Sequence, residues 1–408
     1  MGMKILNEIV PSWWERFIAN RRVKNVINYL NKELSPELGI ELGGSFAKNT
    51  WLSGDHDIDI FIKFPYEKYK DKDISGELYS NFNKITVVHG SRDYFQLRKG
   101  NYVFELIPVL EIDNPKNAVN VTDMSPFHTV WIKNNLKHPD QVRLLKKFLK
   151  ANGLYGAESF IRGFSGYSAE LLITKYHFFF DLMKDAANWP ERKYIDMEGH
   201  YTGALEAMRS LNKDRISSLI LVDPVNPERN AAAALSKEKY QKFIDCAKAF
   251  IRNPNDDFFK WKSMNLSILN EKKQDNSLVY LEGIPIDGKR DVVGAKLLKT
   301  NEFLAKEIES SGFNIIDYNW EFGDKVLFWY IIDSNPLSDT VKKYGPPIKD
   351  KKNLQKFIER WQGFEIKEEQ GRAYVIVSRE IRTVKELVEQ LVDEEHAKYF
   401  KTFSIRYT

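Results

Sequence analysis

At 408 residues, with 43% hydrophobic and 13% aromatic residues, the chain is too rich in core formers to be disordered and longer than one hydrophobic core usually organises. Charged residues make up 29% and leave no apolar run long enough to span a membrane, while a single cysteine, Cys246, excludes an internal disulfide and any multi-cysteine zinc site. A net charge of +4 permits a polyanionic partner only where basic residues cluster, and the MGMKIL start, which lacks a basic-then-apolar leader, predicts a cytoplasmic protein.

Three regions differ in texture. The first, residues 1–137, opens with a helix predicted after Pro11 and Ser12, where Trp13, Trp14, Phe17, Val23, Val26, Ile27 and Leu30 recur near helical spacing. Strand-like runs follow at 40–44, 57–64, 84–90, 93–100 and 102–110, separated by turn residues, so this region reads as a mixed α/β domain. Residues 138–252 read as mainly helical, with Asp140 near one helix start, Gly153 just past an end, and a patterned glycine-containing stretch, RGFSGYSAELL, at 162–172. Residues 253–408 change again. The strand LVYLEGIP, the helix VGAKLLKTNEFLAKEIESSG ending at Gly312, and a hairpin turning at Gly323 and Asp324 predict a β-α-β-β order. The helix KNLQKFIERW, the strand AYVIVS and the helix VKELVEQLVDEE complete it. The fold class expected is α+β and multidomain.

The chemistry concentrates in GGSFAKNTWLSGDHDIDIF, residues 43–61, which sets Asp55, Asp57 and Asp59 at alternate positions. Alternate strand residues share a face, so Asp57 and Asp59 project together while Ile58 and Ile60 point into a core. Crowded carboxylates repel unless a cation lies between them, and hard divalent ions such as magnesium take oxygen donors. Glu105 is the lone acid of the apolar run YVFELIPVL and supplies a third carboxylate from a neighbouring strand; the alternative is an edge residue facing water. Upstream, Gly43, Gly44 and Ser45 offer backbone amides and a hydroxyl at a strand end, the makings of a triphosphate cradle, although any tight turn could use Gly-Gly-Ser.

This G-S, D-x-D and third-acid series resembles the nucleotidyltransferases related to DNA polymerase β, and the fuller string is similar to the archaeal-type, class I CCA-adding enzymes. The similarity continues through SPFHTVWIKNNL at 125–136, LLKKFLKANGLYGAESFIRGFSGYSAELL at 144–172, DPVNPERNAAAALS at 223–236 and YGPPI at 344–348. The resemblance implies a catalytic nucleotidyltransferase domain at 1–137, a helical central domain that reads the base at 138–252, and a C-terminal tRNA-binding region at 253–408. It implies template-independent addition of CCA to the tRNA 3′ end from CTP and ATP, with release of pyrophosphate. Magnesium would be held by Asp57, Asp59 and Glu105, the last standing where the family usually has Asp. Gly44, Ser45 and Lys48 would meet the triphosphate, Lys48 standing where the family generally shows Arg, and His128, Lys146, Tyr155 and Arg229 would surround the nucleotide. Arg92 stands where related enzymes have His, near the priming nucleotide. The tRNA would be met on its acceptor stem and T-arm side, and a homodimer is compatible with the family.

Several of these positions also have a plainer explanation. Arg143, Lys146, Lys147 and Lys150 form one basic helix face opposite Val142, Leu145 and Leu149, which is either a phosphate-binding face or a solvated stripe. His128 and Tyr155 could be core residues, Arg229 a surface ion pair, and the basic segments KKYG at 342–345 and KDKK at 349–352 either phosphate contacts or solvated charge. A poly(A) polymerase or oligoadenylate synthetase shares the G-S and D-x-D parts, and a catalytically silent RNA-binding module would keep the fold alone.

Overall fold

The computed structural model describes residues 4–82, 85–211, 216–335, 337–392 and 397–408. Lys84 of the predicted 84–90 strand and residues 393–395 of the predicted last helix lie outside the described residues. The chain divides into two units, Met1–Lys262 and Ser263–Thr408.

In the first unit, strands β1 (Gly39–Leu42), β2 (Asp57–Pro65), β3 (Thr86–Val88), β4 (Tyr94–Lys99) and β5 (Tyr102–Glu111) form one sheet in the order β1-β2-β5-β4-β3. β2 and β5 run parallel and the other pairs antiparallel. The residues of β2 that alternate with the aspartates, Ile58, Ile60, Ile62 and Phe64, are buried with Phe104 and Leu106 of β5. They share a core with Ala19, Val23, Val26 and Leu30 of the Trp13–Glu33 helix. Ser12 caps that helix by accepting from the Glu15 amide, as the Pro11–Ser12 start predicts.

The rest of this unit is helical, with Ser125–Asn135, Pro139–Ala151, Gly166–Tyr176, Phe179–Ala186 and Lys237–Arg252 accompanied by a short parallel pair, β6 (Lys193–Ile195) and β7 (Leu219–Leu221). Their core is dense in aromatics, with Phe148, Phe164, Phe179, Phe243, Phe250 and Phe259 all buried in one cluster. Gly153 closes the Pro139–Ala151 helix with a φ of +65°, a conformation that glycine adopts freely.

The second unit carries the expected β-α-β-β order: β8 (Ser277–Pro285), the Arg290–Ser310 helix, β9 (Ile315–Phe322) and β10 (Val326–Ile332). A further three-stranded sheet contains β11 (Thr340–Pro347), β12 (Lys367–Glu369) and β13 (Arg372–Ser378), and a final strand, β14 (Phe400–Tyr407), pairs with β8 to give the order β14-β8-β10-β9. The KKYG segment is part of β11, where Lys342 Nζ reaches across β13 to pair with Glu369 of β12 at 2.6 Å, so this lysine is neutralised within the sheet. KDKK ends in the first turn of the Lys351–Arg360 helix. Among the described residues, no helix is long and apolar enough to cross a membrane.

Candidate active site

Asp59 and Glu105 share a face of the sheet because β2 and β5 are parallel neighbours in a register that sets them opposite one another. Gln96, opposite Glu105 on β4, donates from Nε2 to Glu105 Oε1 at 2.9 Å. At the end of β1 the Gly43 amide donates to the Asp59 carbonyl at 2.9 Å, and the chain turns at once into the four-residue Gly44–Ala47 helix. Gly44 has φ +58°, and a Cβ built on it would lie 1.4 Å from Asp59 Oδ2. Glycine is thus required twice, for its backbone conformation and for the room its missing side chain leaves the carboxylate. The hydroxyl-bearing Ser45 follows directly, half-buried.

Burial raises the pKa of Asp59, and the charge of Asp57 adds to the rise against an opposing Lys48. Burial and the charge of Asp59 push Glu105 up to about 7. Both shifts describe carboxylates short of positive charge. Asp55, the first of the three alternating acids, stands apart, exposed and paired with Lys150 at 3.1 Å. Among the described residues, no three His, Cys, Asp or Glu side chains gather closely enough to hold a metal ion unaided. An all-oxygen pair on one strand face with an adjacent third carboxylate instead fits an ion that completes its shell with water and substrate phosphates, as magnesium does.

Beside the carboxylates lies a second group that the sequence disclosed only in part. Glu170, 1% exposed, accepts from Lys48 Nζ at 2.5 Å and from the Thr50 hydroxyl, and Lys146 Nζ lies 3.6 Å away. Lys146 also donates to the Thr50 carbonyl at 3.1 Å. Burial alone would raise the pKa of Glu170, but Lys48 and Lys146 hold it below the ordinary carboxylate value. The predicted basic face is therefore no solvated stripe. Arg143 is fully buried, donating to the Trp51 carbonyl at 2.7 Å and to Asn49 Oδ1 at 2.8 Å, and Lys146 is 3% exposed. These charges leave water because the 49–51 segment caps them with acceptors. Of the four, Lys147 and Lys150 stay partly exposed, the Lys150 ammonium 5.3 Å from the Tyr155 ring centre. Tyr155 is bridged to Phe164, and its hydroxyl lies 2.9 Å from where a Cβ on Gly166 would stand.

The third group centres on Asp223, which is fully buried. It accepts from His128 Nε2 at 2.9 Å, Tyr167 Oη at 3.0 Å and Arg229 at 2.6 Å. Burial would raise its pKa, but His128 and Arg229 hold it down at about 2. The 223–229 turn is fixed from below by buried Asn230, whose Oδ1 accepts from the Leu221 and Ala232 amides at 3.0 Å. Tyr167 joins the two groups, with Lys48 5.9 Å and Arg229 5.7 Å from its ring centre. Arg92 has its guanidinium on the Asp123 carboxylate and the Pro108 carbonyl, tying the end of β5 to the 120–124 turn.

The structure sets Asp59 opposite Glu105 and under Gly44, gathers Lys48 and Lys146 on one buried acid and His128 and Arg229 on another, and adds Glu170, Thr50 and Tyr167, which the sequence did not single out. Glu170 carried the signal that exposed Glu105, a lone acid in an apolar run, here AELLI.

Comparison with known proteins gives three family matches: a nucleotidyltransferase domain over residues 23–113, the second domain of tRNA nucleotidyltransferase over 140–260, and the C-terminal domain of CCA-adding enzyme over 287–401. A CCA-adding enzyme of Nanoarchaeum equitans is 32% identical over 379 residues, covering 90% of this chain and 92% of that protein. One from Methanothermobacter thermautotrophicus is 32% identical over 377 residues, covering 87% and 80%. A solved poly(U) polymerase, Cid1 bound to MgATP, matches 64% of this chain and 97% of its own with TM-score 0.51 at 13% identity, a likeness of fold.

Proposed function

The chain belongs to the CCA-adding enzymes, nucleotidyltransferases that act in CCA addition to tRNA, and from that premise we propose that Asp57, Asp59 and Glu105 form its catalytic centre and that the groups around Glu170 and Asp223 hold the triphosphate and the base. The pairing of Asp59 with Glu105 across β2 and β5 is the observation that carries this reading. In it, the tRNA 3′ hydroxyl attacks the α-phosphorus of CTP or ATP and pyrophosphate leaves.

Asp57 and Asp59 hold the divalent ion, magnesium in this proposal, which when bound neutralises charge on the attacking and leaving oxygens. Glu105, set beside Asp59 as the third carboxylate, is placed to receive the hydroxyl proton. Lys48 and Lys146 orient the phosphates, with Ser45 and the amides after Gly44 completing the cradle. His128 and Arg229, preset by Asp223, present donors to the base edge, which discriminate more strongly than apolar shape. Residues 1–137 then act as the catalytic region, 138–252 as the nucleotide-reading region, and 253–408 meet tRNA on its acceptor stem and T-arm side, in the cytoplasm and in a chain that is either monomeric or a homodimer. The match of residues 287–401 to the family's C-terminal domain supports the last assignment.

The test is incorporation of labelled CTP and ATP into tRNA transcripts ending before CCA, after C and after CC, with magnesium and with EDTA. Addition that stops at CCA supports the reading; untemplated adenylate runs would move the protein to the poly(A) class.

Two expected results follow from the geometry. Asp223→Asn keeps the shape but removes the charge that orients three donors, so UTP and GTP misincorporation should rise about tenfold or more relative to CTP, measured as a ratio of kcat/KM values. Lys146 is lowered to about 8, by burial first and by repulsion from Lys48, against the pull of Glu170. Its charge is present below that pH and lost above it, so KM for CTP and for ATP should rise together by about tenfold as pH climbs past 8. The folded protein moves oppositely. Between 8 and the ordinary lysine value of 10.5 the unfolded chain binds the extra proton, so the Lys146 contribution to stability increases with pH. Equal KM values at pH 7 and 9 would remove Lys146 from the phosphate site.

A further inference from the structure

The Trp13–Glu33 helix carries a feature that catalysis at the carboxylates leaves unused. Trp13, Trp14 and Phe17 are 75%, 55% and 53% exposed, an unusual placement for such large rings. They are already arranged on one another: Trp13 and Trp14 lie edge to face at 5.2 Å, and Trp14 and Phe17 stack at 5.5 Å with planes 18° apart. One turn further along the same helix stand Arg21, Arg22 and Lys24, all exposed and without an ion pair among the described residues. Glu15, the one acid of this stretch, has both oxygens occupied by the Ser53 hydroxyl and the Gly54 amide, each at 2.8 Å.

Beneath the ledge is a cleft of about 480 Å³ lined by Trp14, Glu15, Ile18, Arg22, His56 and Tyr102, in which the Glu15 carboxylate is turned to the Ser53 hydroxyl and the Gly54 amide. The His56 and Tyr102 rings lie 4.6 Å apart, and the Arg22 guanidinium reaches past Gly100 beside them. Its place on the sheet is informative. His56 directly precedes Asp57, and Tyr102 directly precedes Val103, the partner of Asp57 across β2 and β5. Because side chains alternate, the cleft opens at the same end of the sheet as the carboxylates but on its other face.

We propose that the Trp14 ledge and the cleft below it bind unpaired nucleotides of the RNA substrate, with bases stacked on Trp14 and phosphates on Arg21, Arg22 and Lys24. Flat exposed rings beside unpaired cations are what a single strand recognises, since every base offers a π-face and every linkage a negative charge. A second copy of the chain fits less well. A two-fold contact sets the same patch against itself and would bring these three unneutralised cations together. The ledge would hold RNA that has passed round the end of the sheet from the carboxylates, which rests on the functional reading above.

The test uses the full chain and a tRNA transcript lacking CCA. Trp14→Ala should raise the KM for this RNA about tenfold while leaving kcat and the KM for CTP unchanged, and Trp14→Phe should recover most of the loss. Arg21→Ala combined with Arg22→Ala should flatten the dependence of RNA affinity on salt by about two phosphate contacts. The unchanged KM for CTP reports an intact fold. RNA KM and salt slope equal to wild type in all three variants would overturn the proposal. So would sedimentation showing that Trp13→Ala with Trp14→Ala splits a dimer while RNA affinity is kept, since a second copy would then cover the ledge. A wild-type protein that incorporates CTP into no tRNA transcript would overturn both this proposal and the function it rests on, whereas normal CCA addition by the variants with unchanged RNA KM rejects the ledge alone.

Discussion

Asp59→Asn is expected to abolish CTP and ATP incorporation, by about a thousandfold or more, in a protein that unfolds no more easily than the native one when no divalent ion is added. Asp59 sits under Gly44 and opposite Glu105, with burial and Asp57 both raising its pKa. Asparagine keeps the shape, so packing around the site is preserved. It cannot carry the charge that a divalent ion requires, so catalysis is lost. The stability consequence has a definite sign. A carboxyl whose folded pKa is raised contributes most below its unfolded pKa and loses that contribution as pH rises toward the folded value. The metal-free native protein should therefore lose stability with rising pH in a window beginning near the ordinary aspartate value of 3.8, and the asparagine variant should be spared this part of the loss. Thermal unfolding across pH without added metal, together with the incorporation assay, checks both halves. Incorporation within tenfold of wild type would remove Asp59 from the catalytic centre.

Gly44→Ala should be nearly as damaging to activity for a different reason. An alanine there must adopt a φ of +58°, which costs an L-residue about 1–2 kcal/mol, and its methyl group would occupy the position of the Asp59 carboxylate. Either the carboxylate swings away or the Gly44–Ala47 turn lifts, and both separate the cradle from the acid it covers. A loss of about a hundredfold in kcat with a modest fall in Tm is expected. Gly43→Ala provides the contrast, because its Cβ would meet the Phe61 ring at 2.4 Å and not a functional group. It should cost stability more than chemistry. If Gly44→Ala kept full activity, the close approach to Asp59 would have no bearing on catalysis.

The parts of this site that could be read from the sequence were those fixed by strand parity. Ile58 and Ile60 had to be inside, so Asp57 and Asp59 had to share the other face, and β2 obeys this. Helices gave less. Arg143 and Lys146 lie on one side of their helix, as spacing indicated, but whether that side meets water depends on the 49–51 segment, which is distant in sequence. Tyr167 carries no local mark of its position between Lys48 and Arg229, since both neighbours come from other elements. His128 and Arg229 are legible through family resemblance, with Asp223 six residues before Arg229, but that Asp223 also accepts from His128 and Tyr167 is visible only in three dimensions. β14 was overlooked because it is an edge strand whose residues are mostly exposed, so it lacks the alternation that marked β2.

The parallel pairing of β2 with β5 also governs when the centre comes into being. Parallel neighbours cannot be joined by a tight turn, so the intervening chain, including the β3–β4 hairpin, must be laid down before Glu105 can stand opposite Asp59. During synthesis, a chain that has emerged only as far as β2 exposes two aspartates with no third partner, no Lys146 and no Glu170. On the proposed reading such a chain should not incorporate nucleotide, and activity is expected only once the sheet and the helices that carry Lys146 and Glu170 have left the ribosome.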